Sequence, residues 1–326
     1  MKIGLTYDLK DDYRHEGFPE EALAEFDSQE TIDSIEQALS SLGYEVIRIG
    51  HIKNLVDYLS RGSCWDLVFN ICEGLVGMGR EAQVPALLEA YHIPYTFSDP
   101  VVLGLTLQKD LAKRVVRDLG LKTPAFRVVS SKSDLDMFDL PFPVFAKPVA
   151  EGTGKGISHH SVIKGRTELD WICQALRQTF NQPVLVETFL TGREFTVGIV
   201  GTGSQAKIIG LMEIVLRDQA EPGSYSYQNK KEYQTLVDYR FPEDDQALAA
   251  MELALTAWRG LGCRDGGRID IRCDQQGVPY FLEVNPLAGL HPRDSDLPII
   301  GRHVGMTYVD LIRVIVDSAL KRTVGS

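Results

Sequence analysis

Two short stretches carry residue types that could do chemistry. GGRIDIRC (266–273) and PYFLEVNP (279–286) read as strands joined by DQQG. Side chains alternate with period two along a strand. A two-residue turn at Gln276-Gly277 would set Asp270 opposite Glu283 and bring Arg268 and Asn285 onto the same face. A face with an arginine, two acids and an amide is unlike an ordinary core, and like charges directly opposite are destabilising unless something positive lies between them. Asp270, Glu283 and Asn285 offer three oxygen donors without His or Cys, which suits a hard cation. Mg2+ binds few protein carboxylates and takes its other ligands from water and phosphate. The structural alternative is a salt-bridge ladder with Arg268; Ile269, Ile271, Phe281 and Leu282 favour a well-packed strand pair instead.

EGTGKGIS (151–158) follows the apolar run PFPVFAKP, with Gly152, Gly154 and Gly156 at alternate positions around Lys155. Glycine admits positive φ and lets backbone N–H groups close around an anion, and the lysine adds a point charge. The same residues also fit a β-hairpin turn. GxxxxGK[ST] is absent, so this is not a P-loop, and GxGxG ahead of a second strand fits a dinucleotide fingerprint poorly. A phosphate loop here would be carried on a hairpin.

The elements that must position these residues alternate along the chain. KIGLTYD at the start, EVIRIG (45–50), WDLVFNI (65–71) and HIPYTF (92–97) read as strands. Asp27 with Glu30 three residues on reads as a helix start; Ile32, Ile35, Leu39 and Leu42 keep helical spacing, and Gly43 ends it. This rhythm predicts a parallel sheet covered by helices over 1–98. Residues 99–187 read as an α+β unit: a helix over 108–120, RVV and FPVFAKPV around a polar linker, ISHHSVI as a strand, and a helix over ELDWICQALRQTF. Residues 188–326 alternate strands with a Tyr/Lys-rich loop (222–235), a helix near 245–261, the acidic strand pair and a last helix near 307–320.

The chain has 326 residues, 44% hydrophobic and 24% charged, with a formal net charge of -11. That balance argues against nucleic acid or an anionic membrane as partner, while a local basic pocket could still take a small anion. The opening MKIGLTYDLKDDYRHEG acquires acids too early for a signal peptide, and no apolar run is long enough for a membrane span. The five cysteines are scattered with no CxxC spacing, which points to reduced thiols in a cytoplasmic protein rather than a disulfide framework or a thiolate metal site.

RID followed by LEVNP resembles the metal-binding end of the ATP-grasp enzymes, and the chain from about residue 65 to 320 is similar to their D-alanine–D-alanine ligase branch. FAKPVAEGTGKGIS looks like the family's lysine strand and phosphate-covering loop, VLVETFLTGREFTVGIVG like its adenine-binding strand and linker, and SYSYQNKKEYQ like its mobile loop. FLEVNPLAGLHPRDSDLPI resembles the segment that binds metal and then the second amino acid. The resemblance implies an α/β, three-domain ATP-grasp architecture, with an N-terminal parallel α/β domain and two α+β domains that sandwich ATP. It places Lys109 and Lys147 on the ATP phosphates, with Glu151, Gly152, Gly154, Lys155 and Gly156 in the loop over them. Glu187 and Leu190 match the adenine hinge and Glu194 the ribose-binding carboxylate. Asp270, Glu283 and Asn285 would hold two Mg2+ ions, with Mn2+ as a substitute. Arg268 would stabilise the tetrahedral intermediate, aided by Thr153 and Lys230, and Ser295 with Gly289 would hold the acceptor. The implied reaction activates a carboxylate as an acyl phosphate and captures it with an amine, behind a loop (222–235) that closes against water. The family tendency is a homodimer acting on small amino-acid or carboxylate substrates.

The chain departs from that family at the first-substrate and loop-closure contacts. TYDLKDDYRHEG lacks the glycine-rich opening, Asn70 stands where a histidine would be, Thr153-Gly154 replaces a serine pair, and Lys231 replaces a tyrosine after Lys230. Asp8, Glu73, Arg80 and Glu81 could form a different polar first-substrate pocket, and Arg293 could hold an acceptor carboxylate bidentately. His159 and His160 read as surface residues on a strand, whereas His291 lies near the acceptor segment. D-alanine is therefore the default substrate, another amino acid or a secondary-metabolite carboxylate its rival, and a non-catalytic ATP-binding module the alternative from another class.

Overall fold

The computed structural model describes all residues except 16, 19, 21, 222, 224 and 324–326. Strands β1 (Lys2–Tyr7), β2 (Glu45–Gly50) and β3 (Leu67–Ile71) form a parallel sheet in the order β2-β1-β3. The helix Gln29–Ser41 buries Ile32, Ile35 and Leu39 against it. Its cap is Ser28, whose Oγ accepts from Thr31 N (3.3 Å), one residue beyond the expected Asp27. HIPYTF is not a strand. It makes a single bridge, Val68 to Tyr95, because left-handed residues at His92 (φ 56°) and Phe97 (φ 72°) turn the chain away on both sides. The other face of this core is completed from the far end of the chain: Ile3, Leu5 and Leu39 share a cluster with Leu287, Leu297, Ile312 and Ile315.

The second sheet is antiparallel, ordered β4-β7-β5-β6, from β4 (Phe126–Val129), β5 (Val144–Pro148), β6 (Val162–Ile163) and β7 (Val184–Thr188). Val144, Ala146, Val184 and Val186 face the helix Arg166–Phe180 through Leu169, Ile172 and Cys173. By alternation Phe145, Lys147, Leu185 and Glu187 face the opposite way. ISHHSVI is mostly not a strand: His159–Ser161 form a 3-10 turn in which Ser158 and Ser161 cap each other, leaving only β6 to pair with β5. The glycine-rich residues thus span the connection of an antiparallel pair.

The third sheet, also antiparallel, is ordered β10-β9-β8-β11-β12, from β8 (Glu194–Val200), β9 (Lys207–Leu216), β10 (Val237–Arg240), β11 (Gly266–Cys273) and β12 (Pro279–Asn285). Phe195, Val197, Ile199, Ile269 and Ile271 pack on the helix Asp245–Leu261. That helix presents Ala247, Ala250, Ala254 and Ala257, all fully buried, a row small enough for close approach to the sheet. The opposite face of the sheet is left to carry Glu194, Thr196, Arg268, Asp270 and Arg272.

Candidate active site

Arg268 pairs with Asn285 and Asp270 with Glu283 across β11 and β12. The route to that register is not a turn at Gln276-Gly277. Gly277 N bonds Asp274 O (3.1 Å) and Gly277 adopts φ 82°, so residues 275 and 276 make the turn and Gly277 is its left-handed third residue. This turn sets Arg272 opposite Tyr280, a register that would send Glu283 to the other face. A shift between Asp270 and Ile271 adds one residue, Leu282, to β12 and restores the pairing. Leu282, expected in the packed interior, consequently lines the cleft beside Glu283, while Phe281 and Val284 enter the core.

Between the two antiparallel sheets lies a cleft of about 780 Å3. Lys147 enters it from β5 and Lys109 from the start of the helix Lys109–Asp118. Both ammonium groups lie 3.7 Å from Glu283 Oε2. Lys147 is also 3.1 Å from Glu187 Oε1, and Lys113 is 2.8 Å from Glu187 Oε2. Burial alone would raise the Glu283 carboxyl; Lys109 and Lys147, then Lys230 and Arg268, hold it well below the usual range. Glu187 is likewise held down by Lys113 and Lys147 against its burial. For Lys113 burial wins and its ammonium is pushed down to about 8. Phe145, Leu190, Ile214 and Leu282 make an apolar part of the wall, and Glu194 accepts from Arg272 Nη1 (3.2 Å) in the same cleft.

The glycine-rich loop covers this cleft. Thr153, Gly154 and Gly156 all have positive φ (52°, 74° and 73°). A Cβ on Gly156 would stand 2.7 Å from Pro148 and 2.8 Å from Phe180, so only glycine fits there without displacement. Lys155 pairs with Glu25 (3.1 Å) and Glu151 (2.5 Å). Of the expected closing loop, Pro222 and Ser224 lie outside the described residues; the helical turns Tyr227–Lys231 and Tyr233–Leu236 follow them. The first of these sits on the glycine loop, with Tyr227 N 3.0 Å from where a Gly154 Cβ would be, and Lys230 lines the cleft.

A second cavity of about 670 Å3 includes Glu73, Glu81, Gly152, Thr153, Arg268, Asn285 and Gly289 in its wall. Lys109, Glu151 and Glu283 line both spaces. Arg268 pairs with Asp270 and lies 3.5 Å from Asp296 Oδ2. Several expected site residues stand elsewhere. Arg293 is 71% exposed and pairs with Glu30 (2.6 Å), outside the wall of either cavity. Ser295 is the residue before the helix Asp296–His303; its Oγ accepts from His291 N (2.9 Å) and lies 2.9 Å from where a Cβ on the cavity-lining Gly289 would be. Asp8 ties its own segment to the stretch after β3, accepting from Tyr13 OH (2.6 Å) and Gly74 N (2.8 Å). Asn70 is fully buried and accepts from Thr6 Oγ1 (2.9 Å). Arg80 is turned to Glu25 (2.9 Å) and to the Ala150 carbonyl (2.8 Å).

Sequence reasoning missed Glu25, Lys113, Arg272 and Asp296. Lys113 follows Lys109 by one helical turn and Arg272 follows Asp270 by one strand period, so spacing could have found both. Nothing local marks Glu25, which lies in the charged run EEALAEF and reaches Arg80 and Lys155 only through the fold.

The donor set fits a hard divalent cation. Asp270 Oδ1 accepts from Thr196 (2.9 Å), and its Oδ2 faces Arg268 and Asn285 Nδ2 (3.4 Å); Glu283 Oε2 lies against Lys109 and Lys147. Among the described residues no three His, Cys, Asp or Glu form a cage, so these two carboxylates and an amide suit an ion that completes its shell with phosphate and water. No described helix is long and apolar enough to cross a membrane.

Residues 115–317 match the family model for the D-ala D-ala ligase C-terminus. A D-alanine–D-alanine ligase from Bordetella petrii is 33% identical over 293 residues, covering 87% of this chain and 85% of that protein. Among solved structures, the D-alanine–D-alanine ligase of Bacillus anthracis complexed with ATP superposes with a TM-score of 0.75 at 21% identity, covering 100% of both chains. The VanG D-Ala:D-Ser ligase of Enterococcus faecalis gives 0.74 at 19%, covering 98% of this chain and 99% of the other. The chain belongs to the D-alanine–D-alanine ligase family of ATP-grasp, carbon–nitrogen bond-forming ligases.

Proposed function

We propose that the chain joins the carboxylate of one amino-acid-type substrate to the amine of another, with ATP in the lysine-lined cleft and the amino acids in the adjoining cavity. The observation that carries this is the pair Lys109 and Glu283, which line both spaces. A phosphate in one and a carboxylate in the other would meet between them. A carboxylate oxygen attacks the γ-phosphorus and ADP leaves; the amine then attacks the acyl carbon, phosphate leaves with the C–O bond, and the amine sheds a proton. Lys109, Lys147 and the loop N–H groups hold phosphate oxygens, and Arg268 holds the developing oxyanion, an effect of about 10²–10³ in rate. The apolar wall at Phe145, Leu190, Ile214 and Leu282 takes the adenine, and Glu194 the ribose. Asp270, Glu283 and Asn285 would hold Mg2+, which supplies charge neutralisation at the phosphates. Residues 226–231, seated on the glycine loop, keep water from the acyl phosphate. Phosphate release with ATP, Mg2+ and pairs of D- and L-amino acids, D-alanine first, tests the reading. Release that requires an amino acid is expected; ATP binding without release under every pair would favour a non-catalytic module.

A further inference from the structure

The charges around the second cavity do not balance. Glu25 is engaged by Arg80, Lys155 and the Gly152 N–H. Glu151 takes Lys155 and Gln182 (2.7 Å). Glu283 lies against Lys109 and Lys147, and Arg268 against Asp270 and Asp296. Two carboxylates in the wall are left over, Glu73 and Glu81. Neither has a hydrogen bond or ion pair among the described residues. Glu81 is only 9% exposed, and the cation next to it in the chain, Arg80, is turned away. Burial pushes the Glu81 carboxyl up to about 7; burial and then its neighbour Glu81 push Glu73 well above the usual carboxylate range. An acid as buried as Glu81 and outside any ion pair is costly to keep, and a ligand cation relieves that cost. Even shared between the two, as Lys155 is shared by Glu25 and Glu151, the single α-ammonium of a simple amino acid leaves one negative charge over.

We propose that the substrate entering this cavity carries a second cationic group, as a diamino or guanidino amino acid does, and that Glu73 and Glu81 hold its two cations. This rests on the ligase reading above, which fixes the cavity as the amino-acid site. The side chains select the substrate and take no part in bond making.

Competition tests it. The enzyme with ATP and Mg2+ is given alanine and ornithine, or alanine and 2,4-diaminobutyrate, in both chiralities, and the amide products are weighed by mass spectrometry. The diamino acid is expected to prevail in kcat/KM by at least about 30-fold, the factor for one buried charge partner. Glu73→Gln and Glu81→Gln should each raise the KM for the diamino acid by a similar factor and leave the KM for ATP unchanged. Calorimetric titration with ADP bound reads the same preference without turnover, so tight diamino-acid binding that both variants lose upholds the proposal even where no amide forms. Phosphate release driven by alanine alone, at a ratio the variants do not change, keeps the ligase reading and overturns this one.

Discussion

The two spaces that meet at Lys109 and Glu283 differ in how their acids are compensated. In the lysine-lined cleft the wall carboxylates have cations: Glu187 has Lys113 and Lys147, Glu283 has Lys109 and Lys147, and Glu194 has Arg272. In the adjoining cavity Glu73 and Glu81 stand in no ion pair among the described residues, and Arg80 reaches them only at longer range. A cleft balanced in itself can stand ready for a ligand whose charge arrives with its own counterions. A cavity whose carboxylates stand outside any ion pair has room for a ligand's cation.

Removing Lys147 breaks the balanced side most severely. Lys147→Met leaves Glu187 and Glu283 short of a cation in the interior, and we expect a loss of about 3–5 kcal/mol in chemical denaturation together with lost phosphate release. Arg268→Ala should lower kcat by about 10²–10³ with little change in the KM for ATP, measured by steady-state phosphate release; a KM effect alone would move Arg268 from the reacting atoms to binding.

On the unbalanced side the test is pH. The folded, empty protein keeps the Glu81 proton up to about 7, whereas the unfolded chain releases it near the ordinary 4.5. The raised value means that this contribution is fully present below pH 4.5 and is lost as pH rises through 7. Glu81→Gln is neutral throughout, so its stability relative to the parent should climb across that window, by about 3 kcal/mol at the upper end. Parallel melting curves from pH 4.5 to 7.5 would show that Glu81 has a partner in solution. The smallest effect expected is in the glycine-rich loop: Gly156→Ala, at positive φ and against Pro148 and Phe180, should cost about 1–3 kcal/mol and weaken ATP binding, read by thermal denaturation with and without nucleotide.

Periodicity reached far in this chain because β11 packs Ile269 and Ile271 on the helix Asp245–Leu261 and turns its polar side chains to the other face. The alternation in GGRIDIRC and FLEVN was enough to put Arg268, Asp270, Glu283 and Asn285 together. It could not show how: the three-residue turn and the extra Leu282 are compensating shifts that leave the same pairing as a simpler hairpin. Elsewhere local signals were overruled. HIPYTF has strand composition, yet His92 and Phe97 take left-handed backbone. Arg293 has the chemistry for a carboxylate, yet the helix Gln29–Ser41 brings Glu30 to it. Glu25 was invisible because its partners, Arg80 and Lys155, come from 55 and 130 residues away.

The most direct measurement follows oxygen. An amino-acid substrate labelled with 18O in its carboxylate is incubated with ATP, Mg2+ and the acceptor amine, and the released phosphate is weighed. Attack of the carboxylate on the γ-phosphorus followed by amine capture leaves one labelled oxygen in each phosphate. Phosphate carrying only unlabelled oxygen, with amide formed, would contradict the acyl-phosphate route through Lys109, Lys147 and Arg268.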